Sequence, residues 1–598
     1  MPFFPFVSWL LLIWLLGWFA LPVARRIWGN DAAGLPDAGL AAGRVLLLTL
    51  WTLAAFWAGY LGVATRWSAF FIVPLGMLCG WLARRDWPLL QAVVRARRRG
   101  MVVAEAVFLA VFFLFFLFRG FWPDINNGEK PMDMALIAAC ARADQLPPPN
   151  PYAASERLSS YYYLGHFQTA LLTKASGSIP RWTYNLICAT LPALCFSTLV
   201  ALCSAVTGRL RNGVLAATCV LALGTLEPLR QWANRLGPLR EWSVSNLWPL
   251  DYFSTSRVIP FMADGQPHYT INEYPWFTFN YADLHAHYFA MPLALLLLSL
   301  GWALYGRMTD GGSRPPVVAL LCGLALGALI VTNTWDFPAY TLVVTLCLMR
   351  FRAALRRNGP RLATAMGMVV VALLVATPFL FRLEIANGLP RLIRRLHTEA
   401  SLPQLLDQPA SPTGDWLLMW GPLVGVWILT SILAERRPLI AEAAPPHEPV
   451  LRLFLARRRA MIFSLLAPIV LWLLLLLMPG RDYLVSWSFW PPLVNASGLS
   501  AAEATAVLHQ RPPHTFLIST GRDYFVLLLL LTLTFWTARA AFRHDDPLHG
   551  WLCRVALCGL LALCWSETTW AGFLGPPYHR QDTVFKFGLQ AWYLLGTA

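Results

Sequence analysis

Three residues in the stretch FTFNYADLHAHYFAMPLALLLLSL (Phe277–Leu300) have side chains that bind metals or move protons: Asp283, His285 and His287. The aspartate offers a carboxylate, and the imidazoles offer nitrogen donors that titrate near neutrality. At i, i+2 the two imidazoles point the same way from an extended chain, and lie about 200° apart on a helix. With Asp283 they form a ligand set for a divalent metal, Mn, Mg or Zn. A general base or a phosphate-binding pair uses the same residues. The apolar run that follows puts them at the mouth of a membrane helix. The simplest role there is that of belt histidines beside a helix-capping aspartate.

Further polar points recur in separate blocks. The stretch RGFWPDINNGEKPMDMALIAAC carries Asp124, Glu129, Lys130 and Asp133 directly after an apolar run. Its second half reads as a short amphipathic helix with Pro131 near the start and Pro147–Pro149 after the end. Such a helix can lie in the membrane interface, with Asp133 balancing its dipole or joining a carboxylate cluster. The block YYYLGHF holds Tyr161, Tyr162 and Tyr163, which suit an aromatic belt, and His166 three residues on. Arg257, Glu273 and Trp276 lie among aromatic residues that can stack a sugar. Asp336 interrupts an apolar run in TNTWDFPAY. Arg522, His579, Arg580 and Lys586 come late in the chain, where cations can hold a phosphate. Asp124, Glu129, Asp133 and Asp283 are the candidates for catalysis; the others are candidates for substrate binding, with Asp283, His285 and His287 as the metal set.

The elements that position these residues are membrane helices. Of 598 residues, 57% are hydrophobic and 13% charged, against about 25% charged in soluble domains. Apolar runs near the roughly 20 residues of a span recur at Phe6–Ala24, Val45–Val63, Val102–Phe118, Leu362–Phe381, Ile462–Met478 and Tyr524–Ala538. Gly213–Leu226, Val317–Thr332 and Phe337–Met349 are short for a span. The expected fold is an all-α polytopic protein of about 15 crossings. Residues 1–100 read as a three-span N-terminal region and residues 101–598 as the core. Phe6–Ala24 reads as a retained span. The chain ends inside an apolar run, WYLLGTA, so continuation beyond residue 598 is expected. The formal charge of +16 follows from arginine-rich loops on the cytoplasmic face, Ala83–Gly100, Arg350–Arg361 and Leu451–Ala460, and not from a nucleic-acid partner. The eleven cysteines have no ligand or disulfide spacing. Alternation around the basic loops puts the N-terminus and every polar block outside, in a multi-pass cell-membrane protein. The deep spans read as almost purely apolar.

The blocks FWPDINNGEKPMDMALI, YYYLGHF, YPWFTFNYADLHAHYFAMPL, TNTWDFPAY and TVFKFGLQAW resemble a family of large polytopic membrane proteins of bacteria and archaea. That family is known as a domain of unknown function with a triple-tyrosine signature (DUF2298-like), and the likeness runs from about Phe121 to the end. The family in turn resembles membrane glycosyltransferases of the C fold (GT-C). The resemblance implies a sugar taken from a polyprenyl-phosphate donor and passed to an acceptor outside the cytoplasm. It also implies an essential carboxylate in the first outer loop, where Asp124 stands, and in some members a divalent metal. The implied partners are a lipid-linked donor, membrane lipids and an acceptor of unstated identity. The rival readings are a lipid or polysaccharide transporter or flippase, a non-catalytic assembly protein, and a metal-dependent membrane hydrolase.

This topology is testable. Cysteines introduced singly at Asn127, Gly265 and Ala496 are expected to react with an impermeant thiol reagent in intact cells; reaction only after lysis would reverse the orientation.

Overall fold

A computed structural model describes residues 3–29, 34–159, 161–236, 250–263, 266–309, 315–349, 355–382, 411–441, 524–543, 547–568 and 579–598. The architecture is all-α and polytopic. Among the described residues, nine stretches are helical, long and apolar enough to cross a membrane. Ile462–Met478 lies outside them. The chain forms two compact units, residues 1–223 with 275–386, and residues 224–274 with 387–596.

The first unit contains α1 (Phe3–Trp28), α2 (Leu40–Tyr60), α3 (Ile72–Arg85), α4 (Trp87–Phe121), α5 (Lys130–Arg142), α6 (Leu164–Ala175), α7 (Pro180–Thr207) and α8 (Leu210–Ala222). After residue 274 come α10 (Pro275–Tyr281), α11 (Ala286–Thr309), α12 (Pro315–Asn333), α13 (Phe337–Leu348) and α14 (Leu355–Arg382). Residues 1–100 thus belong to the same unit as α4–α8. The helix α7 starts on Pro180 and stops at Gly208, which takes the left-handed φ of +69°, the usual division of labour between these residues. Burial orders the helices. The apolar windows of α7 and α11 are buried all round, whereas those of α3, α4 and α14 are mostly half-buried or exposed. An apolar helix that stays exposed is suited to lipid.

Long-range hydrogen bonds fix the helix directions. Trp9 Nε1 donates to Thr190 Oγ1 at 3.0 Å near the start of α1. At its end Trp28 Nε1 donates to the Ser299 carbonyl at 2.8 Å, and Arg307 Nη2 donates to the Arg26 and Ile27 carbonyls. One end of the unit therefore gathers Arg25, Arg26 and Arg307, with Asp86 paired to Arg25 and Arg26. The loops around residues 121–163 and 281–286 lie at the other end.

Two expectations need correction here. The arginine-rich segment Ala83–Gly100 is not a loop. Apart from the break at Asp86 it is helical, in the end of α3 and the start of α4. A 35-residue helix is roughly 50 Å long and outruns a hydrocarbon core of about 30 Å. It carries Arg95 and Arg97–Arg99 clear of the apolar region without breaking. Nor are the spans purely apolar. Arg44 of α2, fully buried, meets Glu105 of α4 at 2.5 Å, and its guanidinium lies over the Phe108 ring at 4.2 Å. Gly17 of α1 makes room, because a Cβ there would come within 2.9 Å of the guanidinium.

The stretch from α12 to α13 turns at a 3₁₀ helix, Thr334–Asp336. Ala328 and Thr332 face Phe289 and Pro292 near the start of α11, whereas Val343 and Cys347 lie beside Gly301, further along it. The chain doubles back at Asp336.

The second unit holds α9 (Glu227–Leu236), the antiparallel strands β1 (Pro260–Ala263) and β2 (Gln266–Tyr269), and α15 (Thr413–Ala441), α16 (Tyr524–Arg543), α17 (Pro547–Thr568) and α18 (His579–Thr597). Polar links tie it together: Arg230 to Asp415 at 2.6 Å, Ser411 Oγ to Glu567 at 2.8 Å and Trp427 Nε1 to Thr537 Oγ1 at 2.9 Å.

Removing one partner of the Arg44–Glu105 pair leaves a buried charge uncompensated, at a cost of about 3–5 kcal/mol. Glu105→Ala is expected to lower the thermal midpoint in detergent clearly, and the pair Arg44→Met with Glu105→Leu to recover most of the loss. An unchanged midpoint for Glu105→Ala would show that the pair contributes nothing to stability.

Candidate functional site

The site lies wholly in the first unit, where α5, α6 and the turn between α10 and α11 meet. Gly128 precedes α5 with φ of +61°. A Cβ there would sit 2.8 Å from Tyr281 Oη and 3.0 Å from Asp283 Oδ2, so only glycine lets the two segments approach. The Glu129 N–H, at the start of α5, donates to Asp283 Oδ2 at 3.2 Å. Asp283 thereby caps a helix about 150 residues earlier in the chain. On α5, Asp133, Ile137 and Cys140 share one buried stripe, the i, i+4, i+7 pattern of a core-facing helix. The helix is packed into the unit rather than laid across an interface.

The turn after α10 is held just as firmly. Ala282 adopts φ of +55°, a conformation that costs a non-glycine residue about 1–2 kcal/mol. Its carbonyl accepts from Tyr184 Oη at 3.1 Å and its N–H donates to Thr278. Tyr288 Oη reaches the Cys188 carbonyl at 2.9 Å. The His285 carbonyl then accepts from the Tyr288 N–H, which starts α11. His287 is therefore helical, and its ring centroid is 5.8 Å from that of His285.

Asp133, Asp283 and His285 converge, with one ligand atom from each within 4.8 Å of the others. Asp133 stands where the sequence suggested His287. His285 Nδ1 is 3.7 Å from Asp283 Oδ2, and its Nε2 pairs with Glu129. His166 Nε2 meets Asp133 Oδ1 at 3.0 Å. Side-chain exposure rises along the group, from 0% at Asp133 and 7% at Asp283 to 20% at His285 and 59% at Glu129. The cluster thus has a closed floor and an open mouth. Asp133 Oδ2, Asp283 Oδ1 and His166 Nδ1 are buried and make no hydrogen bond by geometry among the described residues. Such atoms are costly unless something else meets them.

Burial is the largest influence on Asp283 and pushes its pKa up, against the pull of His285; Asp133 adds to the rise, and the result is about 7. Burial pulls His285 down, but the Glu129 hydrogen bond and the charges of Asp133, Asp283 and Glu129 outweigh it, leaving the imidazole at about 9. Two carboxylates and one imidazole can bind a divalent cation through oxygen and nitrogen. They can equally share protons.

The three tyrosines point to different partners. Tyr161 lies beside His166, ring centroids 6.1 Å apart. Its hydroxyl pKa is raised well above the ordinary value by burial and by Asp133, Glu129 and Asp283. Tyr162 sits by the α12–α13 turn, within reach of Thr334, Trp335 and Asp336. Tyr163 Oη meets Tyr60 Oη of α2 at 2.5 Å. Asp336 itself is buried and accepts from Asn333 Nδ2 at 3.0 Å. Trp276 packs edge-on against Phe115 and Phe118. The Asp124 side chain is exposed; its backbone is fixed by Arg119, which donates to the Asp124 carbonyl and to Asn185. Lys130 is buried at the head of α5 and donates to Asn127 Oδ1.

Arg257, Glu273 and Lys586 belong to the second unit. There Arg257 donates to Ser256 and Lys586 lies over the Phe585 ring. Arg522 and the side chains of His579 and Arg580 lie outside the described residues. Sequence reasoning missed Arg119, Asn185 and Gly128. Arg119 ends an apolar run, where arginine commonly snorkels to water, so its type and place gave no signal; the Asn-Gly pair at 127–128 marked a turn.

A bundle of apolar helices with a polar cluster at one end defines a polytopic membrane protein. The family described as "Uncharacterized membrane protein (DUF2298)" matches residues 50–595, and the chain belongs to it. The match begins inside α2 and takes in α3 and α4, ahead of the blocks that carry the resemblance in sequence. No curated protein and no solved structure matches the chain.

The two shifted groups set a pH dependence of stability. Asp283 holds its proton to about pH 7 when folded, against an ordinary 3.8; His285 holds its proton to about pH 9, against 6.5. In both windows the folded chain binds more protons than the unfolded chain, so stability falls as pH rises. With chelator present, the thermal midpoint of wild type is expected to drop relative to Asp283→Asn between about pH 4 and pH 7. A difference that grows in favour of wild type over that range would contradict the assignment.

Proposed function

We propose that this chain is a membrane glycosyltransferase that takes a sugar from a polyprenyl-phosphate donor at its extracytoplasmic face. The observation that carries the reading is the Asp133–Asp283–His285 group, buried at its floor and open at its mouth, at the membrane end of α11. A lipid-linked donor keeps its phosphate at the interface and its chain in lipid, so a polar site at the head of an apolar bundle suits it.

The residues divide the work as follows. Asp133, Asp283 and His285 would hold a divalent cation, which when bound supplies a Lewis acid for the leaving phosphate. Glu129, exposed at the mouth, takes the proton of the acceptor hydroxyl. The acceptor oxygen bonds to the sugar's anomeric carbon as the bond from that carbon to the phosphate oxygen breaks. The lipid phosphate leaves with the bonding electrons. His166 fixes the orientation of the Asp133 carboxylate. Asp124, exposed on the loop that Arg119 ties down, stands where the first-loop carboxylate is expected by analogy.

The test is release of lipid phosphate from a panel of polyprenyl-phosphate sugars by the purified chain in vesicles. Asp133→Asn, Asp283→Asn and Glu129→Gln are each expected to lower the rate by at least about 100-fold. For the first two, added Mn²⁺ is expected to lose its effect on the thermal midpoint. Folded variants that transfer at the wild-type rate would end this assignment.

A further inference from the structure

Two buried cations stand beside the acid cluster without a carboxylate of their own. Arg119 is 6% exposed and Lys130 is 5% exposed. Neither has an ion-pair partner within 4.0 Å among the described residues. Arg119 spends Nε on the Asn185 amide oxygen at 2.7 Å and Nη2 on the Asp124 carbonyl at 3.1 Å. Lys130 Nζ donates to the Asn127 amide oxygen at 2.5 Å and lies 5.0 Å from the centre of the Tyr281 ring. All of these partners are neutral.

The two cations also feel each other. Burial depresses the Lys130 pKa first and the charge of Arg119 depresses it next, while Asp283 and Asp124 oppose the fall from a distance. Burying a charge is costly unless an opposite charge and hydrogen bonds meet it. Two like charges buried together add repulsion. Deep between the spans, Arg44 ends on the carboxylate of Glu105. Arg119 and Lys130 are instead held by loop amides and carbonyls, which orients them without neutralising them.

We infer that Arg119 and Lys130 form a subsite for a phosphate-type anion at the mouth of the acid cluster. The chemistry is that of an arginine fork and a lysine point charge meeting phosphoryl oxygens. Two sources share this chemistry, a lipid phosphate headgroup and a free phosphate. Phe121 and Trp122, next to Arg119, are 74% and 70% exposed and offer an apolar surface to the chain of a lipid. The inference deepens the proposed function, since it names residues for the donor's phosphate, and it can fail separately.

The experiment uses the full chain in nanodiscs and three probes: undecaprenyl phosphate, the uncharged alcohol undecaprenol, and inorganic phosphate. The readout is the rise in thermal midpoint against probe concentration, for wild type, Arg119→Gln, Arg119→Lys and Lys130→Gln. Wild type is expected to respond to a phosphate probe and not to the alcohol. Lys130→Gln and Arg119→Gln are expected to shift the half-maximal concentration about tenfold upwards, with Arg119→Lys between. A response to the lipid phosphate alone assigns a lipid headgroup; a response to both assigns free phosphate chemistry. Arg119→Gln also loses a loop anchor, so Lys130→Gln decides the matter if the arginine variant does not fold. No phosphate-dependent response in wild type, or an unchanged half-maximal concentration in folded Lys130→Gln, overturns the subsite. A chain that binds the anion normally but releases no lipid phosphate from any donor sinks the transferase reading and leaves the subsite standing.

Discussion

The end of the bundle that carries the site is organised around one buried carboxylate. Asp133 is fully inaccessible, and an ionised carboxyl in such a place costs several kcal/mol unless partners meet it. Its companions come from two elements. His166 comes from the first turn of α6 and meets Asp133 directly. Asp283 and His285 come from the turn before α11. Each must arrive at a set depth, and the local structure follows from that demand. Gly165 has no Cβ because Phe289 of α11 would collide with it at 2.2 Å. Gly128 has none because Tyr281 and Asp283 are already there. Ala282 takes a left-handed conformation because Tyr184 and Thr278 hold its backbone from both sides. Strain of this kind persists only where the surroundings over-determine it.

The sequence was most legible where the physics is local. Long apolar runs mark α1, α2, α4, α14 and α16, since a bilayer's thickness is a one-dimensional requirement. The polar blocks were also legible as blocks: Glu129, Asp133, His166, Asp283 and His285 all come from stretches that stand out against apolar surroundings. Which of them meet was not legible. His287 looks like the partner of His285 because it is two residues away. But α11 begins at Ala286, and a helix turns alternate side chains apart. Asp133 takes that place from about 150 residues away, through the packing of α5 against α6 and α7. The triple tyrosine shows the same limit. As a motif it looks like one belt; in the fold the three rings serve the acid cluster, the α12–α13 turn and α2.

The arginine pattern failed in an instructive way. Runs such as VRARRRG were expected to be loops because charge must leave the hydrocarbon core. The requirement is met by length instead: α4 continues as one helix until its arginines are clear. Charge density therefore locates the end of a span but not the end of a helix. Arg44 and Glu105 were missed for a related reason. Each sits alone in an apolar run and looks like an isolated expense, whereas their contact across α2 and α4 at 2.5 Å makes a pair whose cost is shared.

The first unit then carries buried charge at two levels, handled in opposite ways. The Arg44–Glu105 pair lies deep between spans, one cation against one anion, with an aromatic face beneath the guanidinium. Such a pair is mutually compensated. At the other end, two carboxyl groups, Asp133 and Asp283, share a floor, and Arg119 and Lys130 are fixed to neutral oxygens nearby. Keeping acids and cations in adjacent but distinct groups raises the energy of the empty site, and such energy is recovered when a ligand with both kinds of partner enters. A phosphate held by the cations beside a cation held by the acids is the arrangement that uses both groups at once.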